Sequence, residues 1–450
     1  MNTHQLLGKY NVPVPRYTSY PTVPYWDEGC PTVVAWEKSV LSAFGESREI
    51  SLYLHLPFCE ALCTYCGCNK RITKNHGVEH PYIEAVLNEW AMYREMLPGR
   101  PVLRELHLGG GTPTFFSPEN LEYLLSSILK DVDLAPGYEF GFEAHPGTTS
   151  VRHLEVLRQL GFTRLSIGIQ DFAPEILAII NRRQTFEDVR LVTEKARELG
   201  YTSINYDLIF GLPLQTPAHI RDTMAKVRTL RPERIAFYSY AHVPWISPSQ
   251  RAYAESDLPV GEEKRALYEL GRELLESAGY AEIGMDHFAL PGDSLYEAMQ
   301  AGTLHRSFMG YTPFTTHLNL ALGASSISDS WGAFVQNEKK IETYQERVNA
   351  GELPLIKGHL LSREDRELRQ HILDVMCRYQ ANWEAGSPGE ALAAGLSRLQ
   401  ELEADGLVRI EPGRLQVTAL GKPFIRNICM ALDAKYWQRQ PSGRLFSQAV

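Results

Sequence analysis

Cysteine is scarce, with seven in 450 residues, and that scarcity excludes the disulfide scaffold of a small secreted domain. A long uncharged apolar run is missing, as is an apolar N-terminal stretch, so neither a membrane span nor a signal peptide is expected. Positive charge is in deficit, 45 Lys and Arg against 54 Asp and Glu for a net charge of -9. That balance argues against a general nucleic-acid binder or a polybasic membrane binder. A glycine run exists, but no Gly-Lys-Ser/Thr follows it, which removes the phosphate-binding P-loop. The remaining 44% hydrophobic and 22% charged residues are an ordinary globular balance. The expectation is a soluble, cytoplasmic enzyme in a reducing compartment, long enough for one large domain and appendages.

Four of the seven cysteines are crowded together. Cys59, Cys63, Cys66 and Cys68 follow an apolar strand-like run at 50–56, while Cys30, Cys377 and Cys429 are isolated. Clustered thiols in a reduced compartment point to metal. A structural zinc site wants four ligands, usually as two pairs, and no second pair follows. Three thiolates on one loop suit a [4Fe–4S] cluster with one iron lacking a protein ligand. A half zinc site completed by His or Cys from elsewhere is the alternative.

Around this loop the chain alternates strand-like and helix-like segments. Strands are predicted at 51–56, 105–108, 139–143, 164–169, 203–209 and 234–240, each short and bounded by Gly, Pro or polar turns. Amphipathic helices are predicted at 82–96, 118–129, 151–160, 186–199 and 217–230, with apolar residues recurring as at Leu154, Leu157 and Leu160. Such repeats build a parallel sheet with covering helices, and six units suggest an open (β/α)6 partial barrel. Chemistry then gathers at the C-terminal ends of the strands. Those ends carry Gly109-Gly110-Gly111-Thr112, Glu143-Ala144-His145, Gln170, Asp207 and Ala241. Consecutive glycines let backbone approach a ligand closely. Before the barrel, residues 10–26 mix prolines with aromatics and should be extended, lying on a surface or across a cavity. After it, helices at 365–378 and 389–403 and a hairpin turned at Pro412-Gly413 suggest a winged-helix-like module, with no basic stripe to read nucleic acid.

Cys59-x3-Cys63-x2-Cys66 resembles the radical S-adenosylmethionine (SAM) signature. Pro15-Arg16-Tyr17-Thr18-Ser19-Tyr20-Pro21-Thr22 narrows the resemblance to one family, the oxygen-independent coproporphyrinogen III oxidases. The resemblance covers the whole chain. It implies an α/β fold, a radical SAM partial (β/α)6 barrel with an N-terminal extended segment and a mostly helical, winged-helix-like C-terminal domain. The implied regions are 1–48 over the active site, 49–290 as barrel core, 291–355 as a barrel-flanking loop region and 356–450 as the C-terminal helical domain. It implies a [4Fe–4S] cluster on Cys59, Cys63 and Cys66, with Cys68 not a ligand, and two molecules of SAM. Tyr53 and Glu143 take catalytic and SAM-contacting places. Gly110, Gly111 and Thr112 recognise the SAM amino group, and Tyr65 is a further cofactor contact. Gln170, Arg182, Asp207 and Ala241 line a second SAM pocket, and Ile327 packs near the first. His145 stands where the family often has Asp and receives no role. The segment 313–319 is less acidic than the family pattern.

The implied activity is oxidative decarboxylation of two coproporphyrinogen III propionates to vinyls, giving protoporphyrinogen IX in haem biosynthesis. Arg16, and Arg306 near Phe308, are candidates to hold the propionates. The implied partners are a flavodoxin- or ferredoxin-like electron donor and an electron acceptor of unknown kind, with no nucleic acid, no membrane insertion and a monomeric state. Alternatives within the superfamily are a haem chaperone, a tetrapyrrole-modifying methyltransferase and a ring-opening enzyme.

Overall fold

The computed structural model describes residues 3–245, 247–384, 386, 389–440 and 445–448; the outer limits of the first and last expected regions, residues 1 and 450, lie outside them. Six strands, β1 (Glu49–Leu56), β2 (Val102–Gly110), β3 (Asp133–Ala144), β4 (Arg164–Gln170), β5 (Ser203–Phe210) and β6 (Arg234–Ser239), pair in that order. Every neighbour among them is parallel. Helices α1 (Glu79–Met96), α2 (Pro118–Leu129), α3 (Val151–Gln159), α4 (Phe186–Glu198), α5 (Pro217–Leu230) and α6 (Gly261–Ser277) follow the successive strands. Their starts are written locally: the Ser117, Ser150 and Thr185 hydroxyls accept from backbone N–H groups of α2, α3 and α4, as helix caps do.

The sheet is wider than six strands. Beyond β1 it continues through Leu318–Leu322, parallel to β1, then Ile327–Asp329, Ala333–Asn337, Leu355–Leu360 and Asp27–Glu28, all antiparallel. Beyond β6 it adds His287–Ala289 and Ala281–Gly284. Thirteen strands thus form one sheet with two free edges, so the barrel is open. Residues 291–355, expected as a barrel-flanking loop region, supply three of these strands. Leu318–Leu322 and Ala333–Asn337 are buried at every position, and their buried Asn319, Gln336 and Asn337 disguise them as loop.

Two large apolar cores result, with two smaller clusters beside them among the described residues. One fills the space between the parallel sheet and its helices, from Trp36 through Leu54, Phe140 and Tyr206 to Tyr344. The other joins Leu6, Tyr10, Tyr17 and Tyr20 to Tyr311, Ile372, Leu399, Leu415 and Ile428. A helix, Thr3–Tyr10, precedes the proline-rich stretch. Helices Arg363–Arg378 and Glu390–Ala404, the hairpin Val408–Glu411 with Arg414–Val417, and helix Ile425–Leu432 give the winged-helix-like order. At the hairpin tip Gly413 takes φ +79°, a conformation glycine adopts without strain.

Buried Arg426 ties the two chain ends together. It donates to the Pro15 carbonyl at 3.0 Å, to the Gln448 carbonyl at 2.6 Å and to the Val14 carbonyl. Asn427 Nδ2 donates to the Tyr10 carbonyl at 2.9 Å, and the Tyr17 phenol to Asp433 Oδ2 at 3.1 Å. Arg426→Met strands those carbonyls without donors, so we expect a loss of about 3 kcal/mol in denaturant unfolding and new protease cleavage between residues 10 and 20. An unchanged midpoint with no new cleavage counts against this anchoring role.

Candidate active site

The cysteine loop leaves β1 at the C-terminal end of the sheet and is gripped at once on both flanks. On one side the Gly111 and Thr112 N–H groups donate to the Leu56 and Phe58 carbonyls at 2.8 and 3.0 Å. On the other, the Arg71 and Thr73 N–H groups donate to Pro57 and Cys59 at 2.7 and 2.9 Å. The glycines make the first contact possible. A Cβ on Gly111 would stand 2.6 Å from the Pro57 carbonyl carbon and 2.8 Å from the Phe58 oxygen. One on Gly110, whose φ is +108°, would meet the His55 ring at 2.6 Å, and one on Gly109 would meet Glu143 Oε1 at 2.9 Å. The space freed by the missing side chains is therefore occupied by the protein's own first strand and cysteine loop, a tighter constraint than the ligand approach expected of a glycine run.

These loops enclose a cavity of about 730 Å³. Of the residues singled out above, Cys59, Cys63, Tyr65, Cys66, Gly110, Gly111, Thr112, Glu143, Gln170, Arg182 and Asp207 line it, with Cys68 and His145. Tyr53 stands just behind, its hydroxyl 3.0 Å from the Cβ position of Gly109. Two of the expected residues are placed apart. Ala241 lines a neighbouring cavity of about 210 Å³ with Tyr240, His242 and Lys264, joined to the first through Gln250, whose Nε2 donates to the Ala241 and Tyr65 carbonyls at 3.1 and 3.2 Å. Ile327 packs in an apolar cluster with Trp26, Phe308 and Phe334. Tyr238, at the end of β6, also lines the main cavity, and the strand-end rule could have found it.

All seven cysteines are free thiols. Burial pushes the Cys59 thiol up to about 11, whereas the hydrogen bond from Cys68 draws Cys66 down to about 6, with Lys70 assisting against burial. Cations attend the loop. Arg182 Nη1 lies 3.5 Å from Cys63 Sγ and 3.4 Å from the Tyr65 hydroxyl, and Lys70 donates to the Cys66 and Cys68 carbonyls at 3.2 and 3.4 Å. Among the described residues no three His, Cys, Asp or Glu side chains converge to hold one metal ion. Cys59, Cys63, Cys66 and Cys68 share one cavity wall with Arg182 and Lys70 beside them, and thiols so grouped are the donor type that iron–sulfur clusters use.

The rest of the wall suits a zwitterion bearing hydroxyls. Half-exposed Glu143 accepts from the Gly110 N–H at 3.3 Å and lies 3.7 Å from His107 Nε2. Burial, and then the nearby Glu143 charge, push Asp207 up to about 7. Its carboxyl accepts from the Ser166 hydroxyl at 3.0 Å and Asn205 Nδ2 at 2.9 Å. His55 Nε2 faces the Asn69 carbonyl at 2.9 Å; because a carbonyl only accepts, Nε2 carries the proton. Burial lowers the His55 pKa and keeps the ring neutral. Its Nδ1 then accepts from the Tyr53 hydroxyl at 3.4 Å, and burial and Glu143 hold that phenol well above its ordinary value. His55 thus pins the far end of the cysteine loop to β1.

A third grip comes from α1, through a residue the sequence reading passed over. Glu89, fully buried, accepts from the Gly323 N–H at 2.9 Å, the Tyr344 hydroxyl at 2.6 Å and Asn337 Nδ2 at 2.6 Å. Tyr82, two turns earlier, donates to the His55 carbonyl at 2.8 Å and accepts from the Ala324 N–H at 2.9 Å. Glu89 falls on the same helical face as Tyr82, Val86 and Tyr93, and a carboxylate in an apolar stripe was the available signal.

The radical SAM superfamily's sequence description matches residues 53–227, from Tyr53 into α5, and this site is of the radical SAM class. A protein from Pseudomonas aeruginosa described as oxygen-independent coproporphyrinogen III oxidase is 38% identical over 440 residues, covering 95% of each chain. Its Escherichia coli counterpart is 36% identical over 454 residues, covering 99% of this chain and 98% of that one. The solved structure of coproporphyrinogen III oxidase from Escherichia coli, described as a radical SAM enzyme, superposes with a TM-score of 0.88 over 93% of this chain and 97% of that chain. The chain belongs to the oxygen-independent coproporphyrinogen III oxidase family.

Gly111→Ala should push the Pro57–Phe58 backbone aside, lowering iron retained after anaerobic reconstitution and turnover by about 100-fold; wild-type iron and rate would remove the steric argument. Burial pushes Glu89 up to about 7. A raised carboxyl pKa means stability present below about pH 4.5 and lost as pH rises to about 7, of order 3 kcal/mol for this group. Glu89→Gln removes that slope, so wild type should lose stability relative to the variant from pH 5 to pH 8; a difference that stays constant with pH contradicts it.

Proposed function

We propose that this protein decarboxylates two propionate arms of coproporphyrinogen III without oxygen, forming the vinyl groups of protoporphyrinogen IX in haem biosynthesis. The observation that carries the reading is one cavity lined by the free thiols of Cys59, Cys63, Cys66 and Cys68, the Gly110–Thr112 backbone and Glu143, within a chain that matches these oxidases along nearly its full length. Each propionate loses CO2, one hydrogen atom from its β-carbon and one electron. When bound, the [4Fe–4S] cluster and two molecules of SAM supply the removal of that hydrogen atom, which side-chain acids and bases do not accomplish.

In this reading Cys59, Cys63 and Cys66 hold the cluster, with Arg182 Nη1 3.5 Å from Cys63 Sγ. Tyr53, Gly110, Gly111, Thr112 and Glu143 hold one SAM, with Ile327 on that side. Tyr65, Gln170, Arg182 and Asp207 hold the other, with Ala241 behind them. Neutral His55 and the un-ionised Tyr53 phenol offer fixed donors and acceptors and no mobile proton. The N-terminal region (1–48) and the C-terminal region (356–450), packed together over the second core, exclude water from the barrel region (49–290) and its flank (291–355). A donor of the flavodoxin or ferredoxin kind and a separate electron acceptor complete the reaction. The chain acts as a monomer in the cytoplasm, a reading supported by its net charge of -9. No helix among the described residues is long and apolar enough to cross a membrane.

Protein reconstituted without oxygen and supplied with SAM, a reductant and coproporphyrinogen III should yield divinyl product. Tight haem binding with no turnover would favour a chaperone instead. Cys59→Ala, Cys63→Ala and Cys66→Ala should each lose iron and turnover, while Cys68→Ala keeps its iron. Equal iron loss in all four variants would refute the ligand assignment.

A further inference from the structure

Among the described residues five arginines are buried, and four of them are satisfied. Arg234 is paired with Asp293 and Glu139, and Arg369 with Asp329. Arg182 donates to Gln184 and the Gly168 carbonyl, and Arg426 to carbonyls of both chain ends. Arg306 is the exception. It is 5% exposed, and its Nε and Nη1 are buried with no hydrogen-bond partner. It sits on strand His305–Ser307, directly across from Tyr311 on Gly310–Thr312, and its guanidinium lies 4.5 Å from the Tyr311 ring. A guanidinium cannot escape burial by releasing its proton, and an aromatic face does not replace an anion in a desolvated site.

Among the described residues no carboxylate forms an ion pair with Arg306. Asp286, whose charge bears on the Tyr238 and Tyr311 phenols, is already paired with Arg16. Arg16 and Arg306 together bear on Tyr238 and on His287. His287 adds no negative charge; its Nδ1 donates to the Met285 carbonyl at 2.8 Å and its Nε2 accepts from the Tyr238 hydroxyl. Among the described residues Arg306 has no ion-pair partner, an anion from outside the chain would satisfy it, and the rings around Arg306 run from it toward the active-site cavity. Tyr311 lies 5.1 Å from His287, His287 lies 5.5 Å from Tyr238, and Tyr238 lines the active-site cavity. Three rings in file lead from the cavity wall to a cation that has no ion-pair partner among the described residues.

We propose that Arg306 receives a carboxylate of the substrate at the end of this ring file, and that Arg16, held by Asp286, shapes the route without binding the carboxylate itself. This rests on coproporphyrinogen III being the substrate. The test uses cluster-reconstituted protein and two fluorescent probes, coproporphyrin III and its tetramethyl ester. Wild type should bind the acid about 30-fold more tightly than the ester. Arg306→Met, with iron content and melting temperature as folding controls, should lose that preference by weakening acid binding alone. If Arg306→Met does not assemble, Arg306→Lys carries the test, since a single rotating ammonium replaces a fork; acid affinity should fall and ester affinity hold. Unchanged acid binding in a folded variant, or equal binding of acid and ester by wild type, overturns the proposal. Failure of wild type to bind either probe or to decarboxylate coproporphyrinogen III would instead overturn the functional reading beneath it.

Discussion

The site depends on a place where no side chain fits. Gly111 brings its backbone against Pro57 and Phe58 so closely that even a methyl group would collide with main-chain atoms. Through that contact the loop after β2 hydrogen-bonds to the start of the cysteine loop, extending the parallel pairing that aligns Leu56 with Gly110. Each such bond contributes only about 1 kcal/mol net. Their effect is geometric, because they continue the sheet's own register into the loop that carries the thiols.

The end of β1 is the hub of this arrangement. Its His55 carbonyl is held by Tyr82 from α1, its His55 ring holds Asn69 beyond the last cysteine, and its Leu56 carbonyl is held by Gly111. On its other edge, Leu318–Leu322 runs parallel and delivers the Gly323 turn to Glu89. A Cβ on Gly323 would meet the His55 carbonyl at 2.6 Å, so two glycine turns from opposite edges converge on one strand end. The polar groups there are internally satisfied, which lets a thiol-bearing loop project into a cavity while its base stays rigid.

Much of this was legible in the residues. The β-branched runs and their Gly and Pro boundaries located the six strands β1 to β6, and the periodic leucines of α3 located the helices between them. Cys59, Cys63 and Cys66 stood out by spacing, and the structure brings them, with Cys68, to one cavity. What stayed hidden did so for physical reasons. Strand Leu318–Leu322 carries buried Asn319, and Ile327–Asp329 carries buried Ser328, so alternation failed where polar groups bond inside the sheet; the Ser328 hydroxyl, for example, accepts from the Ala321 N–H at 2.8 Å. The glycine run was visible, but its neighbour was not, since nothing local says that Gly111 faces Pro57 rather than a ligand. Arg306 and Arg16 looked equivalent as cations, and only the pairing of Arg16 with Asp286 separates them.

The second core joins residues near the opposite limits of the chain. Tyr10 meets Asp405, Tyr17 meets Asp433, and the Tyr10 carbonyl meets Asn427 across 395, 416 and 417 positions. A ribosome releases the first partner of each pair long before the last. The parallel sheet, whose strands are sequential neighbours, needs nothing beyond residue 239 for its six central members. The proline-rich segment, whose Arg16 pairs with Asp286 and whose Tyr17 meets Asp433, must therefore wait for most of translation before these contacts can form.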